Sequence, residues 1–402
     1  MFVKVSNMIN RSHAVRITTL MKITSVLFLI VINTLLMNDA VCAWQLPIEQ
    51  PDDEQLGPEL PKTPSPSSEI DLKNIPFKIV YETFRETEGI ENWELYIMSA
   101  DGSNQTNLTQ TPDLDEMYPH ASPDGRKLCF VVDEGTNRRD KIRSVYYMNI
   151  DGTQSALGES ALGETSPLGG TSPIGGRVLV AKNAREPCWS PDGKKIAYLT
   201  AEYDTYSTRE YATSELVIYD TETGQHRTHP NTTLQHLYAI CWSPDGNWFL
   251  GVIEGNAAYS DTILALEANG TAVYDLGKWS VKGCRPDFRY DGKKITWGET
   301  DWDLCMGDID LSGPEPKVEN VHKIVKCLRA AKIYHVDFSP DGKYITFSFG
   351  PSAGGQQVGG MAKGWNICVT DLSGKWVKIT TDGNHNKEPD WVPLINGGKP
   401  ES

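Results

Sequence analysis

Apolar residues along this chain fall in short runs of four or five rather than at helical spacing. Lys127-Leu-Cys-Phe-Val, Lys195-Ile-Ala-Tyr-Leu, Trp248-Phe-Leu-Gly-Val, Lys294-Ile-Thr-Trp and Tyr344-Ile-Thr-Phe-Ser are rich in β-branched and aromatic residues. They are too short for helices and read as buried strands. Ser-Pro-Asp-Gly precedes four of them, at 122–125, 190–193, 243–246 and 339–342, and Arg289-Tyr290-Asp291-Gly292 is a degraded copy before the other. Proline presets φ for the first central position of a type I turn, aspartate suits the second and glycine closes it, so the tetrapeptide predicts a tight link between antiparallel strands. Trp189, Trp242, Phe288 and Phe338 stand just before it, with Ala121 the exception. Further apolar strands follow downstream, as in Glu94-Leu-Tyr-Ile-Met before Asp101-Gly102 and Leu216-Val-Ile-Tyr before Thr223-Gly224.

The tetrapeptides or their equivalent begin at 122, 190, 243, 289 and 339, with half-copies at either end. Lys78-Ile-Val-Tyr81 matches Lys195-Ile-Ala-Tyr198, and Glu388-Pro-Asp-Trp391 matches Glu186-Pro-Cys-Trp189. The opening fragment lacks what the closing fragment supplies, so the two predict a sixth unit split across the termini. Repeats of this length with about four strands each are propeller blades. The prediction is an all-β fold: a six-bladed β-propeller of four-stranded antiparallel blades, its ring closed by pairing of strand 387–392 with strand 77–82, which leaves no long sheet edge exposed.

The segment Glu186-Pro-Cys-Trp-Ser-Pro-Asp-Gly-Lys-Lys-Ile-Ala-Tyr198 and its copies, with Met98-Ser-Ala-Asp-Gly102 and Leu108-Thr109, resemble the repeats of the TolB-type β-propeller family, WD40-like in their Ser-Pro-Asp-Gly pattern. The resemblance spans about residues 75–392. It implies the propeller fold and an exported binding or scaffold module whose ligand is a protein, a peptide or an envelope polymer. The TolB N-terminal α/β domain has no counterpart in it, since residues 44–74 read as a linker with prolines at 58, 61, 64 and 66.

The flanks and the charge refine this picture. An apolar run at 24–37 follows basic residues ending at Lys22, and Val41-Cys42-Ala43 offers small residues for cleavage. Residues 1–43 therefore read as a secretory signal peptide, placing the mature chain in the periplasm or outside the cell, with no membrane insertion after cleavage. The propeller is expected at 75–393, a flexible low-complexity insert at 153–176, and a disordered tail at 394–402. Lys and Arg number 38 against 53 Asp and Glu, a net charge of −15. Such a body repels phosphate backbones, and no basic patch offsets it, so nucleic acid is excluded as a partner. A monomer is expected. Cys129, Cys188, Cys241, Cys305 and Cys368 occupy strand positions that suit a small apolar side chain, whereas Cys284 and Cys327 fall outside that pattern and form a candidate disulfide.

One constellation stands out. Tyr118, Glu186, Ala239, Arg285, His335 and Glu388 occupy equivalent positions just before the repeat proline or its counterpart. Ring symmetry should gather them near one mouth of the central channel, with Arg185 and Lys387 one residue earlier. Tyr118, Glu186, Arg285, His335, Glu388, Arg185 and Lys387 are thus the candidate ligand-binding residues. The competing reading is that they are polar ends of inner strands, solvated or paired with one another. No Gly-x-Ser-x-Gly elbow and no His-Glu-x-x-His motif occurs. No catalytic residue, metal ligand or cofactor is therefore assigned, and a non-enzymatic role is favoured. The alternative is a metal-dependent polysaccharide lyase or related carbohydrate-active enzyme resembling the oligogalacturonate lyases, with His120, His335 and His385 as its candidate metal-holding histidines.

Overall fold

The computed structural model describes residues 70–395 except 88, 136–140, 154–175, 260, 300–302, 328–330 and 352–363. The expected signal peptide, most of the expected linker, nearly all of the 153–176 segment, and the residues from 396 lie outside the described residues.

Six four-stranded antiparallel sheets make up the fold. Blade 1 contains β1 (Lys78–Thr87), β2 (Ile90–Ser99) and β3 (Thr106–Asn107). Blade 2 comprises β4 (Asp115–Ala121), β5 (Lys127–Glu134), β6 (Ile142–Asn149) and β7 (Val178–Lys182). Blade 3 follows as β8 (Ala184–Trp189), β9 (Lys195–Ala201), β10 (Thr213–Asp220) and β11 (His226–Thr228). Blade 4 runs through β12 (Leu237–Trp242), β13 (Trp248–Ile253), β14 (Thr262–Glu267) and β15 (Val273–Asp275). In blade 5 are β16 (Cys284–Phe288), β17 (Lys294–Glu299), β18 (Asp303–Asp310) and β19 (Lys317–Val325). Blade 6 consists of β20 (Ala331–Phe338), β21 (Tyr344–Pro351), β22 (Asn366–Asp371) and β23 (Trp376–Lys378). The last strand, β24 (His385–Val392), returns to blade 1 and pairs antiparallel with β1, setting Ile79 opposite Trp391 and Lys78 opposite Val392. The chain is a six-bladed β-propeller closed by its own two ends, as the half-copies predict. Round the axis the innermost strands β4, β8, β12, β16, β20 and β24 each touch the next, and β24 touches β4.

Both faces of each blade are covered, which is why the strand runs are continuously apolar rather than alternating. Along β5, Leu128, Phe130 and Val132 pack toward blade 1 while Cys129 and Val131 pack toward blade 3. On β9, Ile196 and Tyr198 face blade 2 while Ala197 and Leu199 face blade 4. Each junction between neighbouring blades holds its own cluster of buried apolar side chains. Trp391, 3% exposed, joins Ile79, Tyr81 and Met98 of blade 1 to Ile367 and Val369 of blade 6 at the closing junction.

The tetrapeptide turns explain their own sequence. Gly125, Gly193, Gly246 and Gly342 N–H groups donate to the carbonyls of Ser122, Ser190, Ser243 and Ser339, and these glycines have φ near +70°. The serine hydroxyl donates to the turn aspartate, at 2.6 Å for Ser122 on Asp124, and accepts from the first N–H of the next strand, at 2.8 Å from Lys127. In the degraded copy Arg289 replaces only the serine's donation to the aspartate, its guanidinium reaching Asp291 at 2.5 Å and 3.0 Å.

One expectation is corrected. No disulfide joins Cys284 to Cys327, and none of the described cysteines is disulfide-bonded. Cys284 opens the innermost strand of blade 5 whereas Cys327 follows its outermost strand, three strand spacings or about 14 Å away, beyond the roughly 7 Å Cα separation a disulfide can span.

Candidate functional site

Each innermost strand is interrupted at one residue. Tyr118, Glu186, Ala239, Arg285, His335 and Glu388 all have positive φ, between 46° and 55°, and around each the ladder to the neighbouring strand shifts register. This left-handed conformation costs a non-glycine residue roughly 1–2 kcal/mol, and here a bulge repeated six times imposes it. In four blades the next residue is Pro119, Pro187, Pro286 or Pro389, which leaves no N–H unpaired at the bulge. The six residues line one cavity in the channel, of about 100 Å³.

Their charges meet there. Arg285 lies 2.6 Å from Glu210, 3.4 Å from Glu388 and 3.8 Å from Glu186. The Nε2 of His335 contacts the Glu388 carboxylate, and the Glu186 carboxylate accepts from Ala239 N at 3.1 Å. The Arg285 guanidinium also sits 5.7 Å from the centre of the Tyr118 ring. Burial works against the Arg285 charge, but Glu210, Glu388 and Glu186 outweigh it and keep the guanidinium protonated. Burial raises the Glu388 carboxyl well above the usual range despite Arg285, raises Glu186 in the same way, and pushes His335 well below its usual value with Arg285 and Lys387 adding to the shift. His335 is therefore a neutral imidazole beside a carboxyl that tends to hold its proton.

Of the seven candidate binding residues, Tyr118, Glu186, Arg285, His335 and Glu388 converge on the cavity. Arg185 and Lys387 do not line it. The Arg185 guanidinium donates to the carbonyls of Arg209 at 2.5 Å and Ser207 at 3.3 Å. Lys387 pairs with Glu82 at 2.9 Å and lies 4.8 Å from the centre of the Trp93 ring. Arg185 thus ties down the 202–212 segment that joins β9 to β10. Tyr206 of that segment donates to Asp133 at 2.5 Å, and Glu210 reaches Arg285. The expected mouth on this side is therefore covered by a loop, and the converging charges are buried.

Apart from His120, named above only as a candidate metal-holding histidine, the other end of the cavity was missed by sequence reasoning. Two residues beyond each bulge position, toward the Ser-Pro-Asp-Gly turns, stand His120, Cys188, Cys241, Asp287, Asp337 and Asp390. The carboxyls of Asp287, Asp337 and Asp390 hydrogen-bond in a row round three adjacent blades. Each also accepts a backbone N–H from the next blade: Phe338 N to Asp287 at 2.8 Å, Trp391 N to Asp337 at 2.8 Å, and Ala121 N to Asp390. Burial and the adjoining carboxyl lift Asp287 and Asp337 well above their usual value, and burial lifts Asp390 to about 6. His120 accepts from Trp189 N at 3.4 Å through Nδ1 and stays neutral, its pKa lowered by burial. The available signal was the recurrence of aspartate at one offset from the repeat proline. His385 stands apart, between the Trp93 and Trp365 rings with centroids 4.9 Å and 6.0 Å away. Among the described residues no three His, Cys, Asp or Glu side chains are arranged to hold a metal ion.

The aspartate row sets a sign for the pH dependence of stability. Unfolded, Asp390 releases its proton near 3.8, and folded near 6, so the folded state binds more protons between those values. Stability is expected to fall as pH rises through that window, by about 3 kcal/mol from this group alone. Melting followed from about pH 4 to about pH 6.5 should show the decline, and Asp390→Asn should flatten it. Wild-type stability that rises across the window would refute the assignment.

No protein-family model matches the chain. TolB from Acinetobacter baumannii aligns over 79% of this chain and 67% of its own, with a TM-score of 0.51 at 17% identity. The structural neighbours include TolB-type propellers. Hydrazine synthase from Kuenenia stuttgartiensis aligns at the same TM-score, with 12% identity, over 79% of this chain and 46% of that one. Equal likeness to two such different proteins marks a shared fold, not a shared activity. The uncharacterized peptidase YuxL of Bacillus subtilis (strain 168) is 24% identical over 238 residues, 57% of this chain. This chain spans 29% of the length of that relative. No helix of the described residues is long and apolar enough to cross a membrane.

Proposed function

We propose that this chain is a non-catalytic binding propeller of the TolB type, working in the periplasm or outside the cell, whose channel receives part of a protein or peptide partner. The observation that carries this reading is the cavity ringed by six inward-turned residues, with polar side chains buried at one end and more exposed ones at the other. A solely structural channel would be filled by apolar side chains, which cost less to bury than charges. Six strained backbone positions and a row of ionisable groups indicate a selected site. The TolB resemblance and the acidic surface fit an exported binding module without nucleic-acid contacts.

Ala239 is the one small residue among the six, and Tyr118 shows that an aromatic side chain fits the same backbone in another blade. Ala239→Tyr is therefore expected to fill the cavity without unfolding the ring. Partner captured from envelope extract on the immobilised mature chain should fall about tenfold or more in the variant, with its melting temperature within a few degrees of wild type. Undiminished capture by a folded variant would move the binding surface out of the channel.

A further inference from the structure

The cavity is lopsided in its ionisable groups. Its lining includes the carboxyls of Glu186, Glu388, Asp287, Asp337 and Asp390 against a single guanidinium, that of Arg285. Arg285 has no attraction to spare, because Glu186, Glu210 and Glu388 surround it. The two imidazoles, His120 and His335, add no positive charge. Independently of the acidic row, the buried lining atoms that make no hydrogen bond include, besides the donor Nε of Arg285, two able to accept: Nδ1 of His335, on a residue 6% exposed, and Oε1 of Glu186, on a residue 5% exposed. Both are acceptors once the imidazole is neutral with its proton on the nitrogen facing Glu388. A buried acceptor without a donor is costly, and a ligand carrying several N–H groups would satisfy both.

Access comes from the Ser-Pro-Asp-Gly end. The side chains of Glu186, His335, Glu388 and Arg285 are 4–8% exposed, whereas Asp390 is 12% and His120 34%. The size is also selective. At about 100 Å³ the cavity is smaller than the roughly 150 Å³ that accommodates benzene. It admits the end of a side chain, not a folded segment or a sugar chain.

We infer that the channel is a receptor for one organic cation of the partner, a lysine ammonium, an arginine guanidinium or a free N-terminal amine, inserted from the Ser-Pro-Asp-Gly end with its N–H groups on the aspartate row, Glu186 and His335. This deepens the channel-binding reading and rests on it. Entry of the cation displaces protons held in the row of Asp287, Asp337 and Asp390. Arg285 opposes it only weakly, its charge being held by the deeper glutamates, and neutral His120 does not compete.

The test uses the mature full chain with N-acetyl-lysine amide and N-acetyl-arginine amide as probes. N-acetyl-norleucine amide, which keeps the alkyl stem without the charge, and N-acetyl-glutamate amide are the controls. Calorimetric titration should give saturable binding of at least one cationic probe below about 10 mM and none of either control. Binding should tighten about tenfold between about pH 5 and about pH 7.5 and release protons, read from buffers of different ionisation heat. Asp337→Asn and, separately, Asp390→Asn should each weaken it about tenfold, and Ala239→Tyr should abolish it. Equal binding of the norleucine probe, or no saturable binding of either cationic probe, overturns the inference. So does binding by wild-type chain that is independent of pH, a result that needs no variant to fold. If Ala239→Tyr blocks partner capture while the cationic probes fail, the cation inference falls and the channel reading stands. If capture survives Ala239→Tyr, the channel reading itself fails.

Discussion

A chain ending at residue 384 is expected to show no cooperative unfolding transition. It lacks β24, and with it the innermost strand of blade 1. The loss uncovers Ile79, Val80 and Tyr81, all 0% exposed in the complete ring, and removes Trp391 from the junction with blade 6. Burial of one large apolar side chain is worth about 1.5–3 kcal/mol, so four of them exceed much of a domain's usual margin of about 5–15 kcal/mol. The truncation also leaves β1 an unpaired edge and strips Arg285 and His335 of Glu388. A permuted chain gives the decisive control. If residues 383–392 are placed ahead of residue 78 through a Ser-Pro-Asp-Gly link, the same strand pairing returns through the repeat's own turn. Circular dichroism and calorimetry should then recover a single transition. A truncated chain that melts cooperatively near the wild-type temperature would show that the ring does not depend on its closing strand.

Removing the Arg285 guanidinium should be the most damaging single substitution in the channel. Arg285→Ala leaves Glu186, Glu210 and Glu388 facing one another with no counter-charge among them, and breaking a buried ion pair from one side costs about 3–5 kcal/mol. For a domain of this size that corresponds to a melting temperature lower by on the order of 10 °C. The pH dependence separates lost charge from lost packing. Without Arg285 the Glu186 and Glu388 carboxyls bind protons more readily, so the deficit should shrink toward about pH 5 and widen toward about pH 8. Adding Glu210→Gln to Arg285→Ala should recover part of the loss, because it removes one of the stranded carboxylates. A deficit that is flat with pH and unmoved by Glu210→Gln would mean that Arg285 acts through packing alone.

Local signals were enough to write the ring. The Ser-Pro-Asp-Gly turns, the two-sided apolar runs such as Leu128–Val132, and the complementary half-copies around Ile79 and Trp391 each concern residues close in sequence or identical in pattern. Blade number and closure follow from counting them. The convergence of Tyr118, Glu186, Arg285, His335 and Glu388 was legible for the same reason, since symmetry carries one position to every blade. Their left-handed backbone was not, because Tyr, Glu, Arg and His give no hint of positive φ; a proline in mid-strand was the only trace of the bulge.

The blades, their order and the strand that joins the two ends are already written in the order of residues, because turn chemistry and apolar patterning act over a few residues and repeat. Only the packed ring shows that Arg185 and Lys387 turn away, that Glu210 arrives from a loop to meet Arg285, and that Asp287, Asp337 and Asp390 stand in one hydrogen-bonded row. Those outcomes depend on distances between side chains from different blades and on the loss of water around them. Coulomb energies and pKa values are set by that separation and burial, which a linear order of residues does not encode.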